Sequence, residues 1–119
     1  MTDPDTIVER YLAAWNERVP EARLALVAAT FSHDASYVDP PTSGHGIEGL
    51  DAMIAAAQEQ FPGLSFRLAG EPDAHGDRLR FSWHLAADGG PAVAGGTDFA
   101  VLAEDGRMCS VTGFLDPVG

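Results

Sequence analysis

The hydrophobic period of this chain changes for good at Pro62-Gly63. Up to that point apolar residues mostly recur every three or four positions, the spacing of one face of a helix. Beyond it they alternate by two, the spacing of a strand with one buried face. A chain that makes its helices first and its strands afterwards builds an α+β domain, with helices packed on one face of an antiparallel sheet.

The helical half divides at its breakers. Asp3 suits a cap and Pro4 the first turn, and Ile7, Val8, Tyr11, Leu12 and Trp15 share a face. "NERVP" ends that helix. A second is expected from about Pro20 to Ala29, with Leu24, Val27 and Ala28 inward. A short strand, about Ala35 to Val38, stops at Pro40-Pro41, which cannot donate to a ladder. The third helix is expected from about Ile47 to Phe61, with Leu50, Met53, Ile54, Ala57 and Phe61 as its buried stripe.

Four strands follow. The first spans about 65 to 74. "DRLRFSWHLAA" sets Leu79, Phe81, Trp83 and Leu85 on one face and Arg80, Ser82, His84 and Ala86 on the other. "AVAGGTDFAVLA" contains Gly95-Gly96, which suggests a bend or bulge. "MCSVTGFLD" is the last, and "DGGP" and "EDGR" are turns. No repeat or linker interrupts the pattern, so residues 1–119 read as one domain. A strongly curved sheet of this kind makes a cone that can hold a ligand against its helices.

Charge narrows the partners. Eighteen Asp and Glu face seven Lys and Arg, for a net charge of −11. Such a surface repels phosphate backbones and anionic lipids, so neither nucleic acid nor a membrane is expected as partner. Cys109 is the single cysteine, which excludes an internal disulfide and suits a reducing compartment. It reads as a structural thiol. No basic stretch with an apolar core opens the sequence and no run of about 20 apolar residues occurs. A cytoplasmic protein is expected.

Three residues stand out chemically. Asp98 lies within an apolar strand, where a carboxyl group needs a reason; an Arg such as Arg67 or Arg80 could pair with it. Asp39 ends a strand before two prolines, either closing a turn or aimed by the strand. Tyr11 lies on an apolar helix stripe, where tyrosines commonly serve packing. Trp15, Met53, Phe61, Phe66, Trp83 and Phe114 read as core, some lining any cavity, and His33 as a rim residue. The four histidines form no metal set. No Ser-His-Asp arrangement, phosphate loop or dinucleotide fingerprint is present, so no cofactor is implied.

The stretches "RYLAAWNE", "FSHDASYVDP", "GHGIEGLDAM" and "GTDFAVLAEDGR" together resemble the nuclear transport factor 2-like superfamily over nearly the whole chain. Steroid delta-isomerases, SnoaL-type polyketide cyclases and limonene-type epoxide hydrolases belong to it. The resemblance implies a cone of cystatin-like α+β barrel type, a small hydrophobic carbonyl or polycyclic ligand, and a homodimer formed through the sheet face opposite the cavity. Phe81 and Trp83 share a face that would suit such a contact. It also implies a steroid isomerase-like site. Asp39, before a proline at a strand end, matches the general base. Tyr11 and a protonated Asp98 match the donors to the developing oxyanion, the acid kept neutral by an apolar site. Those isomerases support the donor tyrosine with further tyrosines; here only Tyr37 remains, with Phe31 and a residue near Ile54 at the supporting positions. The epoxide hydrolases place an Arg two residues before their key Asp, where this chain has Gly96. A polyketide cyclase-like enzyme, using one Asp and an aromatic pocket, and a non-catalytic binding or dimerisation module are the alternatives.

Overall fold

The computed structural model describes residues 3–117. The helices are α1 (Pro4–Asn16), α2 (Pro20–Thr30) and α3 (Gly46–Gln60). The strands are β1 (Phe31–Val38), β2 (Ser43–His45), β3 (Leu64–His75), β4 (Arg78–Ala87), β5 (Ala92–Leu102) and β6 (Met108–Asp116). They form one sheet in the order β2-β1-β6-β5-β4-β3. The α+β class, the three helices and the curved sheet are those the sequence implies. Two details differ. The sheet is mixed, because the chain leaves β1, makes the β3–β6 meander and returns alongside β1 in parallel. It is also open, with β2 and β3 as free edges, so the cone is not a closed barrel. Register shifts in β1, β3, β4 and β5 supply the curvature.

The core lies between the helices and the concave face. Leu79, Phe81 and Leu85 of β4, Ala100 of β5 and Val111 of β6 are buried there. All but Leu85, which lines the cavity, share one cluster with Ile7, Val8 and Tyr11 of α1 and Leu50 and Ile54 of α3. The alternation read in β4 therefore holds, but it turns Phe81 and Trp83 toward the helices. Neither is available to a partner subunit. The large apolar side chains left on the opposite face include Val38, Val93, Phe99 and Phe114.

α2 is rotated relative to expectation. Arg23, Val27 and Thr30 are buried, while Leu24 is exposed. The reason is a polar knot. Arg23 Nε donates to Asp51 at 2.9 Å and its Nη1 to Gln58 Oε1 at 3.1 Å. Gln58 Nε2 donates to the carbonyls of Trp15 and Glu17 at 2.9 and 2.7 Å. A buried guanidinium with such partners is stable where an unpaired one is not. This knot fixes the three helices to one another. A second tie fixes α1 to the sheet: the Asn16 amide exchanges two 2.7 Å bonds with the backbone of Phe66 in β3.

Short differences bear on the site. β1 begins at Phe31, directly after α2, and not at Ala35. "SGH" forms the small strand β2, antiparallel to β1. Gly95-Gly96 lies in regular ladder, and the register shift falls nearer Leu85 and Ala86. Gly96 has another purpose. A Cβ there would lie 2.5 Å from the Trp83 ring and 2.7 Å from the Phe114 carbonyl, so its bareness seats the indole. Among the described residues, no helix is long and apolar enough to cross a membrane.

Candidate active site

A cavity of about 340 Å³ opens between α1, α3 and the concave face of the sheet. Its walls are mainly aromatic and aliphatic. Of the expected residues, Tyr11, Trp15, Asp39, Met53, Phe61, Phe66, Trp83 and Asp98 all line it. Two do not. His33 is exposed, in the stretch of β1 where the register shifts between Phe31 and Ser36. Phe114 is 59% exposed, because the alternation of β6 gives its neighbour Leu115 to the cavity instead. Parity corrects Phe114, whereas His33 is turned out by the irregular register of β1, since regular alternation would put it on the buried side with Phe31, Ala35 and Tyr37.

Asp98 sits at the back of the cavity, 2% exposed. No Arg pairs with it: Arg80 bonds Asp73 and Arg67 bonds the Gly90 carbonyl. Instead the Tyr11 hydroxyl donates to Asp98 Oδ2 at 2.6 Å and the Trp83 indole N–H donates to Oδ1 at 3.2 Å. Burial raises the Asp98 pKa to about 6; the two donors oppose that rise, while the charges of Asp39 and Asp116 add to it. The isomerase pattern expects a protonated Asp98 donating toward a ligand. Here it accepts from Tyr11 and Trp83, and a proton is present on it mainly below about pH 6.

Tyr11 is fully enclosed. Phe81 and Phe31 meet its ring edge-on, with centroids 5.1 and 5.9 Å away. Burial foremost, then the Asp98 charge, raises its pKa well above the ordinary value. Its hydroxyl thus stays protonated as a donor.

Asp39 lies at the mouth, half-buried, one residue beyond β1. Its backbone N–H donates to the Thr42 carbonyl at 3.0 Å and its Oδ1 accepts from the Thr42 N–H at 2.9 Å. That closes the turn around Pro40-Pro41. Its Oδ2 accepts the Tyr37 hydroxyl at 2.7 Å. Asp39 is therefore both a turn residue and a group aimed at the cavity, which sequence alone left as alternatives.

Tyr37 was not singled out from sequence. It is buried, its pKa is raised by burial and then by the Asp98 charge, and its ring lies 5.6 Å from that of Trp15. The available signal was parity, since residues 37 and 39 share one face of a strand. Gly113 lies beneath all of these groups. A Cβ on it would come within 2.9 Å of Asp98 Oδ1, 3.1 Å of Asp39 Cβ and 3.2 Å of the Tyr37 hydroxyl.

The sequence profile of the SnoaL-like domain matches residues 8–111. The chain belongs to the SnoaL-like family. Among solved structures, this SnoaL-like domain is similar to a candidate isomerase of the family from Agrobacterium tumefaciens str. C58. The two are 50% identical over 98% of this chain and 100% of that one, with a TM-score of 0.92. It is also similar to a candidate SnoaL-like polyketide cyclase from Jannaschia sp. CCS1, at 20% identity, TM-score 0.70, and 98% and 90% coverage. A SnoaL-like protein of unknown function from Burkholderia thailandensis E264 matches at 15% identity, TM-score 0.74, and 98% and 99% coverage. The last two similarities establish the fold alone. No curated protein matches the sequence.

Proposed function

We propose that this SnoaL-like domain is an isomerase-like enzyme that moves a proton at carbon next to the carbonyl of a small hydrophobic compound. The observation that supports this most is the placement of two carboxyl groups, Asp39 and Asp98, with Tyr11 on one apolar cavity. The 50% identity to the Agrobacterium candidate isomerase points the same way. Among the described lining residues there is no Lys, Arg or His, which favours an uncharged substrate over an anion.

In this reading the Asp39 carboxylate takes the proton from the α-carbon. The C–H electron pair moves into the enolate, whose charge gathers on the oxygen. Tyr11 and protonated Asp98 share two protons: one holds them together and the other meets that oxygen. Asp39 then returns its proton to a second carbon, and the double bond has moved. The step needs only acids, a base and exclusion of water.

The test is turnover of a panel of cyclic and steroidal enones. Asp39→Asn is expected to lose at least about 10²-fold in kcat with an unchanged circular dichroism spectrum. Because the donor form of Asp98 carries a proton, kcat/KM is expected to fall as pH rises through about 6. No turnover of any enone by the wild type would sink the proposal. A second reading, a polyketide cyclase-like enzyme, draws on the aromatic walls. Phe66 meets Trp15 and Trp83 edge-on at 5.2 and 5.1 Å, which suits a flat polycyclic ligand. Turnover of aromatic polyketides without enone isomerisation would favour it.

A further inference from the structure

We infer that Trp83 is a positioning residue of this site: by holding one oxygen of Asp98 it makes that acid donate to Tyr11, and leaves Tyr11 as the group that meets the ligand's oxygen. The inference rests on the reading that Tyr11 and Asp98 serve such an oxygen, and it decides the order in which they do so.

The order comes from the two ends of the Asp98 carboxyl. Trp83 pairs with Gly96 and Asp98 with Phe81, so Trp83 and Asp98 are diagonal neighbours on the concave face of β4 and β5, within reach of a side chain as long as an indole. Gly96 leaves the indole room, and Phe66 of β3 meets it edge-on at 5.1 Å. The indole N–H donates to Asp98 Oδ1 at 3.2 Å, while the Tyr11 hydroxyl lies 2.6 Å from Oδ2. Each oxygen of the acid therefore has its own neighbour.

Those neighbours differ in kind. An indole only donates, whereas a tyrosine hydroxyl donates or accepts. A proton taken up on Oδ1 would face the Trp83 hydrogen and leave a buried N–H without its acceptor, which is costly. A proton on Oδ2 keeps the Trp83 bond and points at the Tyr11 oxygen. Tyr11 then accepts from Asp98, and its own hydrogen is turned toward the cavity that both residues line. The donors stand one behind the other, Asp98 to Tyr11 to ligand, and not side by side. Ionised Asp98 reverses the chain: it accepts from Trp83 and Tyr11 together, as in the geometry described above, and the ligand's oxygen has no donor. The groups that act on the charge of Asp98 are Tyr11 of α1, Tyr37 of β1, Asp39 just beyond β1 and Asp116 of β6. From α3 only Met53, Ala56, Ala57 and Gln60 reach the cavity, and no described cation lines it.

The experiment follows protons and not turnover. The chain has two tryptophans, so protein labelled with ¹⁵N at the indoles gives two N–H resonances by NMR, assigned from Trp15→Phe and Trp83→Phe. Asp98 is followed by ¹³C-carboxyl aspartate and assigned from Asp98→Asn. As Asp98 takes up its proton near pH 6, the Trp83 N–H is expected to keep its bonded chemical shift and its slow exchange with solvent. An N–H that loses both would place the proton on Oδ1 and overturn the inference. In Trp83→Phe the Asp98 midpoint is expected to rise by at least about half a pH unit, because a donor to the charged form is gone; an unmoved midpoint would overturn the role of Trp83. If Trp83→Phe does not fold in a thermal melt, the wild-type N–H measurement still decides, with Trp15→Phe making the assignment. The ligand's end is read with 1-tetralone, a two-ring ketone, ¹³C-labelled at the carbonyl. Its resonance is expected to move downfield on wild type below the Asp98 midpoint, and at every pH on Asp98→Asn, whose amide oxygen takes the Trp83 hydrogen and whose NH₂ faces Tyr11. It is expected to stay in place on Tyr11→Phe. A shift kept in Tyr11→Phe, or none on the wild type, would overturn the order. A ketone held in this way without any enone being isomerised would end the proposed reaction and leave the order of donors standing.

Discussion

Asp98 costs this protein stability in order to be where it is. Its ordinary pKa of 3.8 rises to about 6 on folding. Between those values the native state holds a proton that the unfolded chain has released. The contribution is therefore full below about pH 4, declines as pH rises to 6, and is gone above it. The shift corresponds to about 3 kcal/mol at most. Asp98→Asn removes the titration while its amide can still meet Tyr11 and Trp83. Urea midpoints are expected to favour the variant by about 1–3 kcal/mol at pH 8 and to converge with the wild type near pH 4. Equal pH profiles for the two proteins would contradict this account. The same residue was the most legible of the site from sequence, because an acid flanked by apolar strand neighbours asks for a partner. Which partner it takes was not legible. Tyr11 is 87 positions away, and only the fold brings them together.

Elements show where the pattern of the sequence suffices and where it does not. The period of two in β4 and the helical face of α1 were readable because burial imposes them locally. The phase of α2 was not, since Arg23 takes its place inside through Asp51 and Gln58, both on α3. Hydropathy alone turns an arginine outward, and Leu24 inward. Gly96 likewise read as a bend because its neighbour across the ladder was unknown. With Trp83 opposite, it is a space held open. Gly96→Ala is expected to lose about 2 kcal/mol or more in a denaturant titration, since the Phe114 backbone cannot retreat as a side chain could. A neutral result would mean that the indole swings aside at little cost. Gln58→Leu should be worse for the helices. It leaves Arg23 and two backbone carbonyls short of partners, for a loss of about 2–4 kcal/mol.

The whole molecule has two sheet faces with different tasks. The concave one is spent on the core and the cavity. The other displays Val38, Phe99 and Phe114, and it is the surface that the homodimer implied by the family resemblance would cover. Light scattering on the wild type is expected to give twice the chain mass, and Phe114→Asp to halve it. A wild type that is monomeric at tens of micromolar would end that reading. The cavity itself has a property that needs no added label. The chain has two tryptophans, and both Trp15 and Trp83 stand in its wall. Excited at 295 nm, the protein emits from nowhere else. Any molecule that enters displaces water from the indoles or quenches them directly, so the fluorescence of the unmodified chain is a readout of cavity occupancy, available for every compound before its chemistry is known.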